Sequence, residues 1–193
     1  MADHETYYRY LKGRSVLGLL YRRLLLYPRI CRHLQGKVLD VGCGIGDMLS
    51  FRADTVGVDV NPLLVEHCRN RGAEAHLSQP GQLPFGDRTF DAALMDNVLE
   101  HLPDPAPILS EIGRVLVPNG TVVVGVPGLK GYQRDSDHKV FYSQESLVRC
   151  LGASGFALKE LFFAPFRSRY LDRTLSQYCM YGVFDWNGAR LTP

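Results

Sequence analysis

The stretch VLDVGCGIGDML at residues 38–49 decides the fold of this chain. Its apolar run leads directly into a turn at residues 42–46 with three glycines, and glycine at a strand-to-helix turn lets the backbone approach a ligand closely. The third glycine stands one residue earlier than in the G-x-G-x-x-G turn that meets a pyrophosphate, and Asp47 follows it. An acid there would repel a pyrophosphate but is compatible with a ligand that carries an ammonium and a sulfonium. The turn therefore predicts a nucleotide-type site for a positively charged ligand.

Asp59 is the second element of this predicted site. It ends the run VGVDV, seventeen residues after Gly42, where nucleotide-binding folds carry an acid for the ribose hydroxyls. An isolated Asp at a strand end is typical of a turn or a helix cap. Its position after the glycine turn favours a ligand contact.

From residue 37 onward, apolar β-rich runs alternate with helical patterns, which is typical of a βαβ parallel sheet. Strands are predicted at 37–41, 55–60, 73–77, 90–96, 120–126, 156–164 and 177–186. Helices are predicted just after Gly46, over 62–71, over 106–117 and from a Ser143 cap to about Ala153, with one or two more within 7–35. The remaining stretch at 128–142 is predicted to be a polar loop, and a basic segment joins the last two strands.

The composition is that of one globular domain, with 46% hydrophobic and 22% charged residues among 193. Five scattered cysteines without a C-x-x-C pair argue against a disulfide framework or a zinc site and fit a reducing compartment. The N-terminus carries acids where a signal peptide would be positive, and its most apolar run is split by two arginines. We therefore expect a cytoplasmic protein.

The ordered motifs resemble the class I S-adenosylmethionine-dependent methyltransferase superfamily, in the branch (type 11 and its relatives) that methylates small molecules, quinones, sterols and sugars. The matching stretches are VLDVGCGIG, VGVDVNP, LPFGDRTFD, LEHLPDP, ILSEIGRVLVPNGTVVVGVP and DHKVFYSQESLVRCLGASGF, and they cover roughly residues 37–160. The resemblance implies a Rossmann-like three-layer α/β sandwich with a mainly parallel seven-stranded sheet in the order 3-2-1-4-5-7-6. It also implies one domain over 1–193, in which 37–193 form the cofactor-binding core and 1–36 a basic helical arm or lid.

The implied cofactor is S-adenosylmethionine, which leaves as S-adenosylhomocysteine. By resemblance, the methionine end is cradled by Asp40, Gly42, Cys43, Gly44 and Gly46. Asp59 and Val60 would hold the ribose and flank the adenine, and Met95 and Asp96 would face the methionine portion. Gln79 stands where the family often has an acid for the adenine amino group, and its amide carbonyl could accept the same hydrogen bond.

Methyl transfer to oxygen needs a base or a metal to remove the acceptor's proton. The candidate bases are His101, His138, Asp96, Asp137 and Tyr142, with the two histidines preferred as catalytic residues. Each histidine also has a structural interpretation, as a group that braces its loop. Asn97, Glu100 and His101 resemble the divalent-ion positions of ubiquinone-pathway O-methyltransferases, but Asn in place of the first acid weakens a magnesium site, and no metal is expected.

Residues 1–37 hold eight basic residues against two acids, and three interpretations of this arm stay open. The basic residues are Arg9, Lys12, Arg14, Arg22, Arg23, Arg29, Arg32 and Lys37. The arm could be a solvated helical face, or a lid that brings Tyr7, Tyr8 and Tyr10 near the acceptor. It could also meet an anionic or membrane surface through Arg22, Arg23, Arg29 and Arg32, joined by the arginines of PFRSRYLDR.

The sequence favours a small-molecule or sugar acceptor and disfavours nucleic acid. MDNVLEH lacks the Asn/Asp-Pro-Pro-aromatic motif of amino-methylating DNA enzymes, and the pI of 8.3 is below the usual basic footprint. A non-catalytic, cofactor-binding regulatory protein remains an alternative, because the short tail lacks the family's usual closing strand with a basic-Pro pair. The glycine spacing argues against a nicotinamide-dependent oxidoreductase.

Overall fold

One twisted sheet organises the computed structural model, which describes residues 4–13 and 15–188. Within those residues the sheet has seven strands in the order β3-β2-β1-β4-β5-β7-β6. The strands are β1 Val38–Val41, β2 Thr55–Asp59, β3 Ala75–Leu77, β4 Phe90–Asp96, β5 Leu116–Pro127, β6 Phe156–Ala164 and β7 Cys179–Trp186. The predicted class, Rossmann-like α/β with strand order 3-2-1-4-5-7-6, is confirmed.

The first five strands are parallel, and β7 runs antiparallel to both of its neighbours, β5 and β6. Every residue of β1 and β2 is buried, as expected of strands whose two faces are both covered by helices. Because β7 inserts between β5 and β6, the described residues contain all seven strands of the predicted order. The expected lack of a closing strand, which favoured a non-catalytic protein, is therefore not observed.

The helices that the sequence predicted are present, with small differences at their ends. In chain order they are α1 His4–Lys12, α2 Val16–Tyr21, α3 Tyr27–Cys31, α4 Asp47–Phe51, α5 Pro62–Asn70, α6 Ala106–Val115, α7 Leu129–Arg134, α8 Gln144–Ala153 and α9 Arg169–Thr174. The Asn61 side chain caps α5 by accepting from the Leu63 N–H, and Ser143 and Ser146 form a capping box at α8.

Three local predictions were wrong. The predicted loop at 128–142 contains α7, and the basic segment contains α9, because both short helices gain their stability from tertiary contact: the Arg134 guanidinium of α7 donates to the Ser176 hydroxyl at 3.0 Å. The predicted helix over 106–117 ends at Val115. Pro118 disfavours helical backbone at Val117, so β5 already begins at Leu116.

The N-terminal arm forms two helical pieces on either side of residue 14, which lies outside the described residues together with 1–3 and 189–193. From Val16 to Cys31 the backbone is helical throughout, with a π-helical turn at Arg22–Leu26 between α2 and α3. Leu26, Tyr27 and Ile30 are buried against one face of the sheet, so this part of the arm belongs to the core. A fully solvated arm is thereby excluded.

All five cysteines are free thiols. Among the described residues, no helix combines the length and the apolar character of a membrane span.

Candidate active site

A cavity of about 1050 Å³ lies at the carboxyl edge of the parallel strands. It opens where β1 and β4 lie side by side, the point at which the strand order reverses and open α/β sheets bind their ligands. The glycine turn after β1 and the residues after β2 and β4 form its floor. Small-molecule sites usually measure roughly 300–1,000 Å³, so this cavity can hold a nucleotide-sized cofactor together with a small acceptor.

The glycine turn is held in a conformation that other residues rarely adopt. Gly42, Gly44 and Gly46 have φ angles of 75°, 56° and 78°, in the left-handed region that favours glycine. The backbone N–H groups of Gly42 and Cys43 both donate to the Val58 carbonyl, at 2.8 and 3.0 Å. A methyl group added at Gly42 would overlap the Val98 side chain. Gly42, Cys43 and Gly44 line the cavity, whereas Gly46 starts α4 behind the turn and does not.

Asp59 joins the turn to the end of β2. One of its carboxylate oxygens accepts from the Gly44 N–H at 3.0 Å and the other from the Asn61 N–H at 2.9 Å. Burial raises the pKa of Asp59, and those two hydrogen bonds oppose the rise. Both oxygens keep further acceptor capacity for ribose hydroxyls. The exposed Val60 follows on the cavity wall, as an adenine contact requires.

Carboxyl groups dominate the floor of the cavity. Asp40 is buried, and its pKa is raised well above the usual range by burial and then by the charges of Asp96 and Asp59. Such crowding of like charges is relieved by a cation. A ligand with an ammonium and a sulfonium fits this floor, and a pyrophosphate does not.

Asp96 is the most heavily hydrogen-bonded acid of the site. Its Oδ2 lies 3.1 Å from Nη1 of Arg22, and its Oδ1 accepts from the Tyr181 hydroxyl at 2.9 Å and from the Asn97 amide at 2.8 Å. Arg22 reaches the cavity from the π-helical turn of the arm. Arg22 was one of four arginines in the anionic-surface interpretation of the arm, but its side chain is mostly buried and pairs with Asp96 inside the site. Its neighbour Asp96 is 74 residues away in sequence, so no local motif links the two residues.

Of two further predicted cofactor residues, Met95 does not line the cavity and Gln79 does. Met95 is fully buried in the core and does not line the cavity, because alternate strand residues point to opposite faces and its neighbours Leu94 and Asp96 take the cavity side. The predicted contact of Met95 with the methionine portion is therefore not supported. Gln79 does line the cavity, in a turn where it pairs with Gln82.

The rings of His101 and His138 contact each other in the lining of the cavity, with centroids 4.7 Å apart. His101 belongs to the 3₁₀ turn Leu99–His101 after β4. The carbonyl oxygen of Glu100 in this turn accepts from the N–H groups of Lys139 and Val140, at 2.7 and 3.1 Å, and so docks the loop that carries His138. Both histidines line the cavity, where a methyl acceptor would lie.

The hydrogen bonds of His138 fix which ring nitrogen holds the proton. Its Nδ1 lies 2.9 Å from the Tyr132 carbonyl oxygen. A carbonyl only accepts, so we assign the proton to Nδ1, which leaves a lone pair on Nε2 of the neutral ring. Burial, and then the neighbouring His138 ring, lower the pKa of His101, which favours the neutral form of His101.

Glu100 lies behind the two histidines and is the site group that sequence reasoning did not foresee as part of this cluster. It is 1% exposed, and neither carboxyl oxygen has a hydrogen-bond partner among the described residues. Burial raises the pKa of Glu100 to about 8, so the carboxyl is protonated at neutral pH. Its Oε1 lies 3.7 Å from Nε2 of His138.

The other candidate bases are less well placed. Asp137 forms an ion pair with Lys139 at 3.0 Å, which lowers its pKa. Tyr142 is buried in the main core, and burial raises its pKa. The ligand atoms of Glu100, His101 and His138 lie within 4.8 Å of one another, so these residues could hold a divalent ion. Asn97, which resemblance placed in such a set, instead contacts Asp96 and Cys179.

The N-terminal arm contributes several residues to the lining of this cavity. Tyr7 and Tyr10 line it, but Tyr8 does not, because its hydroxyl lies 3.2 Å from Nδ1 of His67 on α5. The Asn61 amide donates to the His4 carbonyl at 3.0 Å and fixes the start of α1. Leu11 is buried over Gly44.

Comparisons with known proteins agree with this geometry. A family model described as a methyltransferase domain matches residues 39–124. The probable S-adenosylmethionine-dependent methyltransferase of Mycolicibacterium smegmatis is 30% identical over 152 residues, which are 72% of this chain and 59% of that protein. The probable tRNA methyltransferase 9B of Homo sapiens is 33% identical over 132 residues, which are 63% of this chain and 28% of the human protein.

A solved structure from Thermotoga maritima, described as an S-adenosylmethionine-dependent methyltransferase and possible histamine N-methyltransferase, has a TM-score of 0.76. It covers 94% of this chain and 97% of its own at 21% identity, a likeness that concerns the fold alone. The chain spans well under two thirds of the length of the two curated relatives, 59% and 28%.

Proposed function

Since residues 39–124 form a methyltransferase domain of the class I S-adenosylmethionine-dependent superfamily, we propose that this chain transfers a methyl group from S-adenosylmethionine to an oxygen atom of a small-molecule or sugar acceptor. The observation that carries the oxygen acceptor is the His138 ring, which lines the cavity and whose Nδ1 contact with the Tyr132 carbonyl leaves Nε2 as the nitrogen that can take up a proton. A hydroxyl must lose its proton to become methylated, whereas a neutral amine need not lose one before it attacks.

The cofactor contributes an electrophilic methyl group on its sulfonium, and the chain positions that group. We assign the ribose to Asp59 and the adenine to Val60 and Gln79, which follow β2 and β3 on one wall of the cavity. Asp40 and the backbone of residues 42–44 hold the methionine end. Arg22 was not among the predicted cofactor residues. Its guanidinium has donors beyond the one that meets Asp96, and these would bind the methionine carboxylate.

The histidine pair serves the acceptor. His138 Nε2 takes the acceptor's proton, and His101, kept neutral by burial, accepts a hydrogen bond from a second polar group or relays the proton. The covering arm excludes water and holds the acceptor in line with the methyl group, from which much of the rate of such a displacement comes. The buried Glu100 lies beside the His138 ring, with Oε1 3.7 Å from Nε2, and would help to hold the ring in place.

A nucleic-acid acceptor is the second candidate, because the human relative is named as a tRNA methyltransferase. The arm favours the small acceptor, since Tyr7, Tyr10 and Leu11 restrict access to the cavity. A regulatory, non-catalytic role would leave the histidine pair without a purpose.

Two measurements test this proposal. Calorimetry should detect binding of S-adenosylmethionine and S-adenosylhomocysteine but not of NAD. A metabolite screen with methyl-labelled cofactor, run beside bulk tRNA, should label a hydroxyl-bearing small molecule. Failure to bind either sulfur nucleotide would refute the assignment of S-adenosylmethionine as cofactor. Label found in tRNA alone would refute a small-molecule or sugar acceptor.

A further inference from the structure

The outer side of the arm is an exposed apolar face. Val16, Leu17, Leu20 and Leu24 project from it, and we call these four residues the arm face; Val16 is 79% exposed. Their spacing places them on one side of the helix that runs through α2 and the π-helical turn. Scattered exposed apolar residues are ordinary, but a contiguous stripe on one helix marks an interaction surface.

A second exposed apolar pair lies on the segment packed beside the arm. Phe166 and Tyr170, 62% and 74% exposed, flank the start of α9. Arg29 of the arm donates to the carbonyl oxygens of Phe163 and Pro165, at 2.9 and 3.3 Å. The Gln177 amide at the other end of the segment lies against Gly18. The two segments therefore share one side of the molecule.

The segments on this side of the molecule are rich in positive charge. Residues 15–35, 127–134 and 165–178 carry nine of the chain's 22 basic residues and only one of its 20 acids. That acid, Asp172, accepts from the Leu129 N–H at 2.8 Å and so is turned toward α7. Seven basic residues of these three segments are exposed, and we call them the basic rim: Arg23, Arg32, Lys130, Arg134, Arg167, Arg169 and Arg173.

We propose that this side of the molecule docks onto an anionic lipid bilayer, with the arm face and the two aromatic rings in the interfacial layer and the basic rim on the headgroups. An anionic bilayer binds surfaces that combine aliphatic and aromatic side chains with nearby arginines. A second copy of the chain fits poorly, because a symmetric contact would oppose the two basic rims. RNA would use the arginines but would leave the arm face exposed to water.

The same three segments line one end of the cavity, through Ser15, Gly18, Gly131 and Ser176. Docking would therefore place this end against the bilayer. An acceptor carried on a lipid could then enter without leaving the membrane. This last step rests on the proposed function, whereas the docking itself does not.

Vesicle sedimentation tests the docking with the full chain. We expect binding to phosphatidylcholine vesicles that contain phosphatidylglycerol, little binding to phosphatidylcholine alone, and weakening by salt. Leu17→Ser with Leu20→Ser, and Arg167→Glu with Arg173→Glu, should each lower the partition constant by about tenfold or more. The matched control, Arg71→Glu with Arg149→Glu, removes two exposed arginines of α8 and the end of α5, and should leave binding unchanged.

Absence of binding to anionic vesicles, or equal loss in the control pair, would overturn the proposal. The proposal would also be overturned if the chain bound bulk tRNA and not vesicles, and if the double arginine variant weakened that tRNA binding while the double leucine variant did not. Calorimetry with S-adenosylmethionine on the same variants separates the two proposals. Vesicle binding without cofactor binding would refute the proposed function only, and the reverse would refute only the docking.

Discussion

Nη1 of Arg22 lies 3.1 Å from Oδ2 of Asp96 and joins the N-terminal arm to the end of the fourth strand. Both side chains are mostly buried, and Asp96 also accepts from Tyr181 and Asn97. The charge of Asp96 raises the pKa of Arg22 against the opposing effect of burial. This ion pair fixes the arm against the floor of the cavity.

Arg22→Met should weaken S-adenosylmethionine binding by about tenfold or more and lower the melting temperature. The substitution keeps the apolar stem but leaves the Asp96 carboxylate without its cation, and breaking a buried pair from one side is costly. Calorimetry and thermal unfolding measure the two effects. Arg23→Met, at an exposed neighbouring position, is the control. Equal cofactor affinity in both variants would show that Arg22 does not contribute to the site.

Asp59→Ala should reduce cofactor affinity at least about tenfold, since two charge-assisted hydrogen bonds to the ribose are lost. The same carboxylate holds the Gly44 and Asn61 N–H groups, so Asp59→Asn is the companion variant. Its amide oxygen preserves one acceptor and should retain the fold. If the Asn variant folds and binds S-adenosylhomocysteine as tightly as the parent chain, Asp59 is not a ribose ligand.

His138→Asn should lower kcat by roughly 10²–10⁴-fold, the contribution of a general base, while the dissociation constant of S-adenosylmethionine stays within about twofold. The Asn side chain can still donate to the Tyr132 carbonyl, so a merely bracing histidine would be replaced with little loss of rate. His76→Asn, a half-exposed histidine beside Glu74, is the matched control. Single-turnover methylation of the acceptor found in the screen gives the readout.

Glu100 should make the free energy of unfolding fall as pH rises from about 4.5 to about 8. Burial raises its pKa from 4.5 to about 8, so within this window the folded chain keeps a proton that the unfolded chain releases. The stability associated with this proton is fully present below pH 4.5, the ordinary pKa of glutamate, and is lost once the pH passes about 8, the pKa of Glu100 in the folded chain. Glu100→Gln cannot titrate, and its advantage over the parent chain should grow across the window to about 5 kcal/mol at most. Urea unfolding at a series of pH values measures it.

A bound divalent ion would reverse that result. It would favour the ionised carboxylate of Glu100, so the parent chain would be stabilised by Mg²⁺ or Mn²⁺ and destabilised by EDTA, and Glu100→Gln would lose both effects. We expect neither cation nor chelator to change the melting temperature. A shift that depends on Glu100 would establish the metal site and contradict the protonated state that we assign to Glu100.

The fold was predictable because its signals are local. The glycine turn at 42–46 needs a backbone conformation that few residues accept, and the buried parallel strands appear as continuous apolar runs. The strand order followed from resemblance. The short helices α7 and α9 were missed, because segments of six residues are stabilised by their neighbours and not by their own periodicity.

By itself, the sequence determined the individual parallel strands, the glycine turn and the acid after the second strand, since each depends on backbone geometry within a few residues. Tertiary structure decided which distant side chains meet: Arg22 with Asp96, and His138 with His101 and the buried Glu100. It also turned Met95 into the core and its neighbours into the cavity. Such contacts depend on how the arm and the loops pack against the sheet, and that packing is set by burial and charge summed over the whole chain, which no local pattern records.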